Sequence, residues 1–185
     1  MRNLPLRRCA RGRGYTLIEL IIVIALLGIA GAMVLPHLVG RDLMNAQATV
    51  RMLISDMSFA QSDALANQEF RRVYFYDDGR GYCIVRVTEA TFDDVFDPAV
   101  ADYITDPLRP GTGYIVDFVA DERFEGVSIT AASLDGGSRF LTYDQIGGTV
   151  MTGEAPGLGG SITVASGTES YQITVSPFTG KLTVN

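Results

Sequence analysis

Residues 15–39 read YTLIELIIVIALLGIAGAMVLPHLV, and the sixteen residues from Leu20 to Leu35 contain no charge. A helix of about 20 apolar residues spans the roughly 30 Å hydrocarbon core of a bilayer. The segment reaches that length if the helix begins near Tyr15. We therefore predict one membrane-spanning helical segment over residues 15–40.

The charges are segregated on either side of this segment. Residues 1–14 contain five arginines and no acid, which leaves 10 of the 15 basic residues and all 21 acidic ones in the remaining chain, a balance of −11. The basic end should stay cytoplasmic and the acidic body should be exported. Because an acidic body repels phosphate backbones, nucleic acid is disfavoured as a partner.

Other interpretations of the apolar segment compete with this one. A secretory signal peptide has a shorter apolar region, whereas here Glu19 stands at the start of a longer run. An ordinary signal anchor has no reason to keep that acid, since a carboxylate inside a membrane helix costs free energy. A lipoprotein signal has its cysteine after the apolar run, but Cys9 precedes the run.

Residues 14–20 (GYTLIEL) resemble the processing and methylation motif of type IV prepilins and type II secretion pseudopilins. In that family a membrane aspartyl peptidase cuts after the glycine and methylates the new N-terminus. The resemblance implies cleavage between Gly14 and Tyr15 and methylation of Tyr15, where the family usually has Phe. It also implies that Glu19 pairs with the freed amine of a neighbouring subunit during assembly. The family's tip-most subunit typically lacks this acid, so we expect another position for this chain.

Pro36 lies inside the helical pattern, where a proline removes a backbone hydrogen bond and kinks the helix. We predict a kink at Pro36 and interpret His37, the single histidine, as an interfacial residue. Gly28 and Gly31 suit close helix packing, although ordinary membrane-helix composition explains them equally well.

Residues 43–67 carry apolar side chains at a spacing near 3.6, which indicates an amphipathic helix. Polar residues such as Arg51, Asp56 and Asp63 fall largely outside this stripe, which consists of Ala46, Val50, Leu53, Ile54, Met57, Gln61, Ala64 and Leu65. Since no glycine or proline interrupts residues 41–68, we predict that they extend the first helix and dock on a sheet.

After Gln68 the pattern changes to short runs rich in Val, Ile, Tyr, Phe and Thr, typical of antiparallel strands. Asp78-Gly79 and Pro177–Gly180 suit hairpin turns. The predicted strands are 71–77, 81–88, 113–119, 126–132, 138–143, 160–165, 170–176 and 180–184, with 147–160 as a flexible segment. The expected fold class is α+β, with one sheet face of residues 69–185 buried against the helix.

Two further stretches resemble the GspH/FimT group of minor pilins. Residues 55–68 (SDMSFAQSDALANQ) are similar to the helix before the first strand of that group. Residues 159–185 are similar to its final strands, through Gly159, Gly160, Ile162, Val164, Ile173, Val175, Gly180 and Leu182. The resemblance implies a pilin fold, with a long N-terminal helix packed on an antiparallel sheet.

Catalytic and metal chemistry find little support in the sequence. There is no credible nucleophile–base pair and no metal-spaced Cys/His cluster, so we predict neither an enzyme nor a cofactor. Residues 88–112 form a long acidic connection, which we interpret as a solvated loop in preference to a calcium site. Cys83 is interpreted as a small buried hydrophobic residue.

The resulting hypothesis is a minor pseudopilin of the H type in a type II secretion system, anchored once in the bacterial inner membrane before it enters a periplasmic filament. The implied partners are other pilin or pseudopilin subunits, the prepilin peptidase, the inner-membrane assembly platform and membrane lipid. The alternatives are a FimT-like minor pilin of a type IV pilus, acting in assembly, adhesion or DNA uptake, and an anchored binding domain that forms no filament.

Overall fold

The computed structural model describes residues 15–185, apart from the side chains of residues 33–41. The chain divides into two compact units, Met1–Gly40 and Arg41–Asn185. The helix α1 (Leu17–Asn67) contributes to both units, and ten β-strands follow it. A long N-terminal helix followed by antiparallel strands confirms the expected α+β class.

Pro36 lies within α1, in the stretch whose side chains are outside the description. The predicted kink at this residue therefore stays a prediction.

The strands of the second unit form two antiparallel sheets. The larger sheet has the order β3-β2-β1-β5-β6-β7, with β1 (Phe70–Phe75), β2 (Gly81–Val87), β3 (Ile115–Asp117), β5 (Phe140–Tyr143), β6 (Thr149–Met151) and β7 (Ala155–Pro156). The smaller sheet has the order β10-β9-β8-β4, with β4 (Val127–Leu134), β8 (Gly160–Ser166), β9 (Glu169–Val175) and β10 (Leu182–Val184). Each of the eight predicted strands is present, with ends that shift by up to two residues.

The helix stripe and both sheets share one hydrophobic core. The core joins Val50, Leu53 and Met57 of α1 to strand residues such as Phe75 of the larger sheet and Ile162 of the smaller one. The predicted burial of a sheet face against the amphipathic part of the helix is confirmed. Because every β-strand alternates its side chains between two faces, each sheet gives this core one face only.

Two assignments of the predicted amphipathic helix are wrong, one inside the apolar stripe and one outside it. Leu65 is 55% exposed, because the stripe has rotated past it by the last helical turn. Asp56, which was predicted to lie largely outside the stripe, is buried. The sheet carries hydrogen-bond donors opposite Asp56, and these make its burial tolerable.

The prediction of a flexible segment over residues 147–160 is also wrong. This segment contains β6 and β7, which extend the larger sheet by pairing with β5 and with each other. A single turn of 3₁₀ helix, Thr152–Glu154, joins them. Strands of three and two residues are too short to show an alternating apolar pattern in the sequence. The glycines of this segment therefore point to a flexible loop.

The turn between β1 and β2 also links the two sheets. Gly79 has a φ of +73°, and its carbonyl accepts a hydrogen bond from the backbone N–H of Ile129 on β4 (2.9 Å). A Cβ atom at Gly79 would lie 2.5 Å from the carbonyl oxygen of Ile129. The predicted Asp78-Gly79 hairpin is confirmed. Glycine is favoured at position 79 both by the positive φ and by the close approach of the β4 backbone.

Cys83 on β2 is buried and free, as predicted. Burial raises the pKa of its thiol to about 12, and a hydrogen bond with Tyr76 only partly opposes this shift. Since the thiolate is the reactive form of cysteine, this side chain is chemically inert in the folded protein.

Asp56 forms a polar cluster at the contact between the helix and the larger sheet. The hydroxyl of Tyr82 donates to Asp56 Oδ2 (2.5 Å), and Tyr114 also bonds to this carboxylate. Burial raises the pKa of Asp56, while these two hydrogen bonds oppose the shift and the nearby charge of Asp106 adds to it. The cluster therefore places a proton-sensitive group in the core.

Asp56→Asn should change how folding depends on pH. Because the folded-state pKa of Asp56 is raised, the folded chain keeps a proton that the unfolded chain releases once the pH passes about 4. The contribution of Asp56 to stability therefore falls as pH rises from that value through its folded pKa. Urea unfolding across this range should show the natural chain losing free energy of unfolding relative to the variant. The control Asp94→Asn, at an exposed acid, should run parallel to the natural chain. If the free energy of unfolding had the same pH dependence in Asp56→Asn as in the natural chain, the raised pKa of Asp56 would be contradicted.

Gly79→Ala should lower the free energy of unfolding more than Gly111→Ala. Both glycines have positive φ, which costs other residues roughly 1–2 kcal/mol, but a Cβ at Gly111 meets nothing within 4 Å. Only the variant at Gly79 also brings a Cβ against the backbone of β4. Equal losses in urea unfolding of the two variants would show that the turn can move away from Ile129 at no cost.

Candidate functional site

The described residues of the candidate processing site lie at and just before the first turn of α1. Tyr15 and Thr16 precede the helix, and the backbone N–H of Glu19 donates to Thr16 Oγ1 (3.3 Å). The N–H of Leu20 donates to the carbonyl of Thr16 (3.2 Å). Thr16 is therefore the N-cap of α1 and satisfies one of the four free N–H groups that begin a helix.

This cap was missed in the sequence, although its signal is present. Thr16-x-x-Glu19 has the spacing of a capping box, in which a Ser or Thr and an acid three residues later close the first turn. An acid in the first turn also interacts favourably with the positive end of the helix dipole. Glu19 thus has a local structural role in addition to the proposed one in assembly.

Glu19 is the only charged residue among residues 15–32, and it is exposed. Tyr15 is 83% exposed, and the large apolar side chains that follow are exposed in all directions around the helix: Leu17, Ile18, Leu20, Ile21, Ile22, Val23, Ile24, Leu26, Leu27 and Ile29. A helix that is apolar all round is typical of one that is buried by lipid or by other protein. The amphipathic part of α1, by contrast, buries one stripe only.

Gly14, the predicted cleavage residue, lies outside the described residues. Tyr15 lies two residues before the start of α1, and Glu19 is the third residue of the helix. Within the part of the chain that the structure describes, no helix is both long enough and apolar enough to cross a membrane.

The acidic connection between β2 and β3 is more ordered than its composition predicts. It contains a 3₁₀ turn, Glu89–Thr91, and Tyr103 forms a bridge with Val85 of β2. Asp106 is buried and accepts hydrogen bonds from the N–H of Leu108 (2.8 Å) and from Nε of Arg109 (2.8 Å).

Four other aspartates of this connection are exposed: Asp93, Asp94, Asp97 and Asp102. Among the residues from 15 to 185 whose side chains are described, no group of three or more His, Cys, Asp or Glu is placed to hold a metal ion.

Comparison with known proteins bears on the N-terminal segment. The prokaryotic N-terminal methylation motif matches residues 9–35. No curated protein matches the chain. A solved structure that is similar to the chain is that of the minor pseudopilin EpsH from the type 2 secretion system of Vibrio cholerae. It is 12% identical, covers 76% of this chain and 96% of its own, and has a TM-score of 0.49. So remote a likeness does not bear on the function of this chain.

The matched motif contains every residue that the sequence singled out for processing and assembly, from Gly14 to Glu19. It also contains most of the exposed large apolar side chains among the described residues of α1. The chain thus carries the prokaryotic N-terminal methylation motif, the signal of type IV pilin-like proteins, in front of an α+β domain.

Proposed function

We propose that the chain is a minor pseudopilin, a structural subunit of the periplasmic pseudopilus of a type II protein secretion system. The observation that carries the proposal is the methylation motif at residues 9–35. In this proposal prepilin peptidase cuts the precursor after Gly14 and methylates the new N-terminus at Tyr15. The precursor spans the inner membrane once, with its basic leader in the cytoplasm.

The apolar surface of residues 17–32 supports a role that needs two successive environments. Each exposed Leu, Ile or Val contributes roughly 1.5–3 kcal/mol when it leaves water. Lipid supplies such an environment before assembly, and the helices of neighbouring subunits supply it in a filament. Moving the apolar side chains from lipid into a protein interface changes their free energy little. Polar contacts therefore decide in which of the two environments the helix is more stable.

Glu19 is the polar group that can make this decision. Cleavage would free an α-amino group at Tyr15, and an isolated cation or carboxylate is costly in apolar surroundings. Pairing the amine of one subunit with Glu19 of its neighbour removes both costs at once. Since each subunit offers one amine and one acid, the pairing repeats along a filament and fixes its axial register.

The exported domain contributes binding surfaces to other subunits and to the inner-membrane assembly platform. A FimT-like minor pilin of a type IV pilus would use the same motif. Its DNA-uptake form is disfavoured, because Lys181 is the only basic residue after Arg139. Deletion of the gene separates the two systems: loss of exported enzymes with intact twitching supports secretion, and the reverse supports a pilus.

Glu19→Gln should leave cleavage unchanged and impair filament incorporation. An unpaired buried amine costs about 3–5 kcal/mol, so we expect incorporation to fall by a factor of roughly a hundred to a few thousand. Mass spectrometry of the membrane and filament fractions measures both effects, because it reports the N-terminal residue and the amount of each form.

The matched control is Glu169→Gln, which makes the same charge change at an exposed position of β9. It should assemble normally. Normal assembly of Glu19→Gln would remove the pairing role alone, whereas a natural chain that still begins at Met1 would overturn the whole proposal.

A further inference from the structure

A cleft of about 590 Å³ lies on the face of the larger sheet that points away from the hydrophobic core. Alternation along β1 sends Arg72 and Tyr74 into this cleft, whereas Val73 and Phe75 enter the core. The connection 88–114 between β2 and β3 forms the opposite wall. Pockets of roughly 300–1,000 Å³ are the size that small organic ligands occupy.

Aromatic rings line the inner part of the cleft. Tyr74 stacks on Phe96 with ring centroids 4.0 Å apart, and Phe96 belongs to the opposite wall. Phe92 and Phe140 also line the cleft. Tyr74, Phe96 and Phe140 are partly exposed, and their apolar ring surfaces suit an aromatic or branched apolar group, whereas Phe92 is buried.

Arg72 brings a positive charge into this apolar setting. Its side chain is enclosed, since the residue is 5% exposed. Nε donates to Thr142 Oγ1 (2.9 Å), and Nη2 donates to the carbonyl of Phe92 (2.7 Å). The guanidinium carbon lies 4.2 Å from the ring centroid of Phe140 and 5.0 Å from that of Phe92. These contacts fix the plane of the guanidinium and leave Nη1 without a hydrogen-bond partner among the described residues.

The charge of Arg72 is uncompensated within the described residues, which sets it apart from the other arginines of the cleft. Arg86 pairs with Glu69 and Asp102, and Arg139 pairs with Asp77. Arg72 has no carboxylate within 4.0 Å among the residues that the structure describes. Burial lowers the pKa of Arg72 to about 10, and the more distant charge of Asp93 only partly opposes this shift. A buried cation without an anion is costly, so an incoming anion would relieve that cost.

The remaining charges of the cleft restrict which anion fits. Five aspartates and three arginines line it, a balance of −2. This surplus of acids repels any anion, and it repels a phosphate with two charges more strongly than a carboxylate with one. A single carboxylate in direct contact with Arg72 is therefore the anion that the cleft opposes least. A carboxylate also suits a guanidinium that is already held in a fixed plane.

We propose that this cleft binds an organic acid whose single carboxylate meets Nη1 of Arg72 and whose aromatic or branched apolar group lies against Tyr74, Phe96 and Phe140. Either a free small acid or the C-terminal carboxylate of another protein chain supplies this chemistry. The proposal is independent of the filament role, because it uses no residue of the methylation motif.

The first test compares an acid with its neutral amide on the unaltered full chain in lipid nanodiscs. Titration calorimetry with 3-phenylpropionate and 3-phenylpropionamide should give a dissociation constant that is lower for the acid by roughly tenfold or more. The reason is that the amide lacks the charged carboxylate that Arg72 would bind. Amide chemical shifts should move in β1, β2 and residues 92–97. Equal affinities, no binding of the acid, or shifts confined to other regions would overturn the proposal.

The second test removes the charge. Arg72→Gln should weaken binding of 3-phenylpropionate by roughly tenfold or more and should abolish the preference for acid over amide. Arg80→Gln is the matched control, because Arg80 is an exposed arginine that does not line the cleft. Unchanged binding by Arg72→Gln would contradict the assignment. If that variant does not fold, the acid and amide comparison on the natural chain still decides.

A pair of peptides separates the two sources of the carboxylate. Acetyl-Gly-Gly-Phe with a free C-terminus should bind more tightly than the same peptide with an amidated C-terminus. A free peptide that exceeds 3-phenylpropionate in affinity identifies a chain terminus as the ligand, and the reverse order identifies a small acid. Absence of an acid preference in both pairs rejects the site.

Discussion

A helix satisfies its own backbone hydrogen bonds, so its surroundings are decided by where its apolar side chains point. Between Leu17 and Ile29 they point in all directions, and between Ala46 and Ala64 they form one stripe. Both sheets share a core with that stripe. Small residues make the packing close, since Ala46, Ala60 and Ala64 are fully buried. The packing of the β-domain therefore depends on the one-sided pattern of the second stretch, whereas the first stretch can be buried only by lipid or by other chains.

The neighbours Arg71 and Arg72 show how strand alternation divides the chemistry of the larger sheet. Arg71 faces the helix, where it forms ion pairs with Asp63 and Glu69. Arg72 faces the opposite way, among aromatic rings and hydroxyl or carbonyl acceptors. Two neighbouring arginines thus play different parts because they lie on opposite faces of the strand. One fastens the end of α1 to the first strand, and the other leaves a positive charge that the described part of the chain does not neutralise.

Periodic patterns were the part of the fold that could be predicted from sequence. The long helix and eight strands follow from local spacing, and the hairpin at Gly79 follows from its turn residues. Asp56 could not be placed, because its burial depends on Tyr82 and Tyr114, which are distant from it in sequence. The short strands β6 and β7 likewise depend on pairing with β5.

The two candidate sites also differ in how far they could be predicted from the sequence. The methylation motif is contiguous, so it is legible in the sequence, and the Thr16 cap could have been found from the same residues. The cleft around Arg72 joins β1, β5 and the acidic connection, and these meet only in the folded chain. Contacts between segments far apart in sequence leave no local pattern, which is why the aromatic side chains of this connection went unnoticed.

The buried thiol of Cys83 can report when the larger sheet opens. Alkylation requires a thiolate, which attacks the electrophilic reagent. The folded chain has little thiolate at neutral pH, because burial raises the pKa of Cys83 to about 12. Modification therefore waits until the second strand separates from its neighbours. Removal of residues 1–14 would also remove Cys9, so the shortened chain would contain one thiol only. The rate at which that thiol is labelled would measure how often the larger sheet comes apart, without any engineered probe.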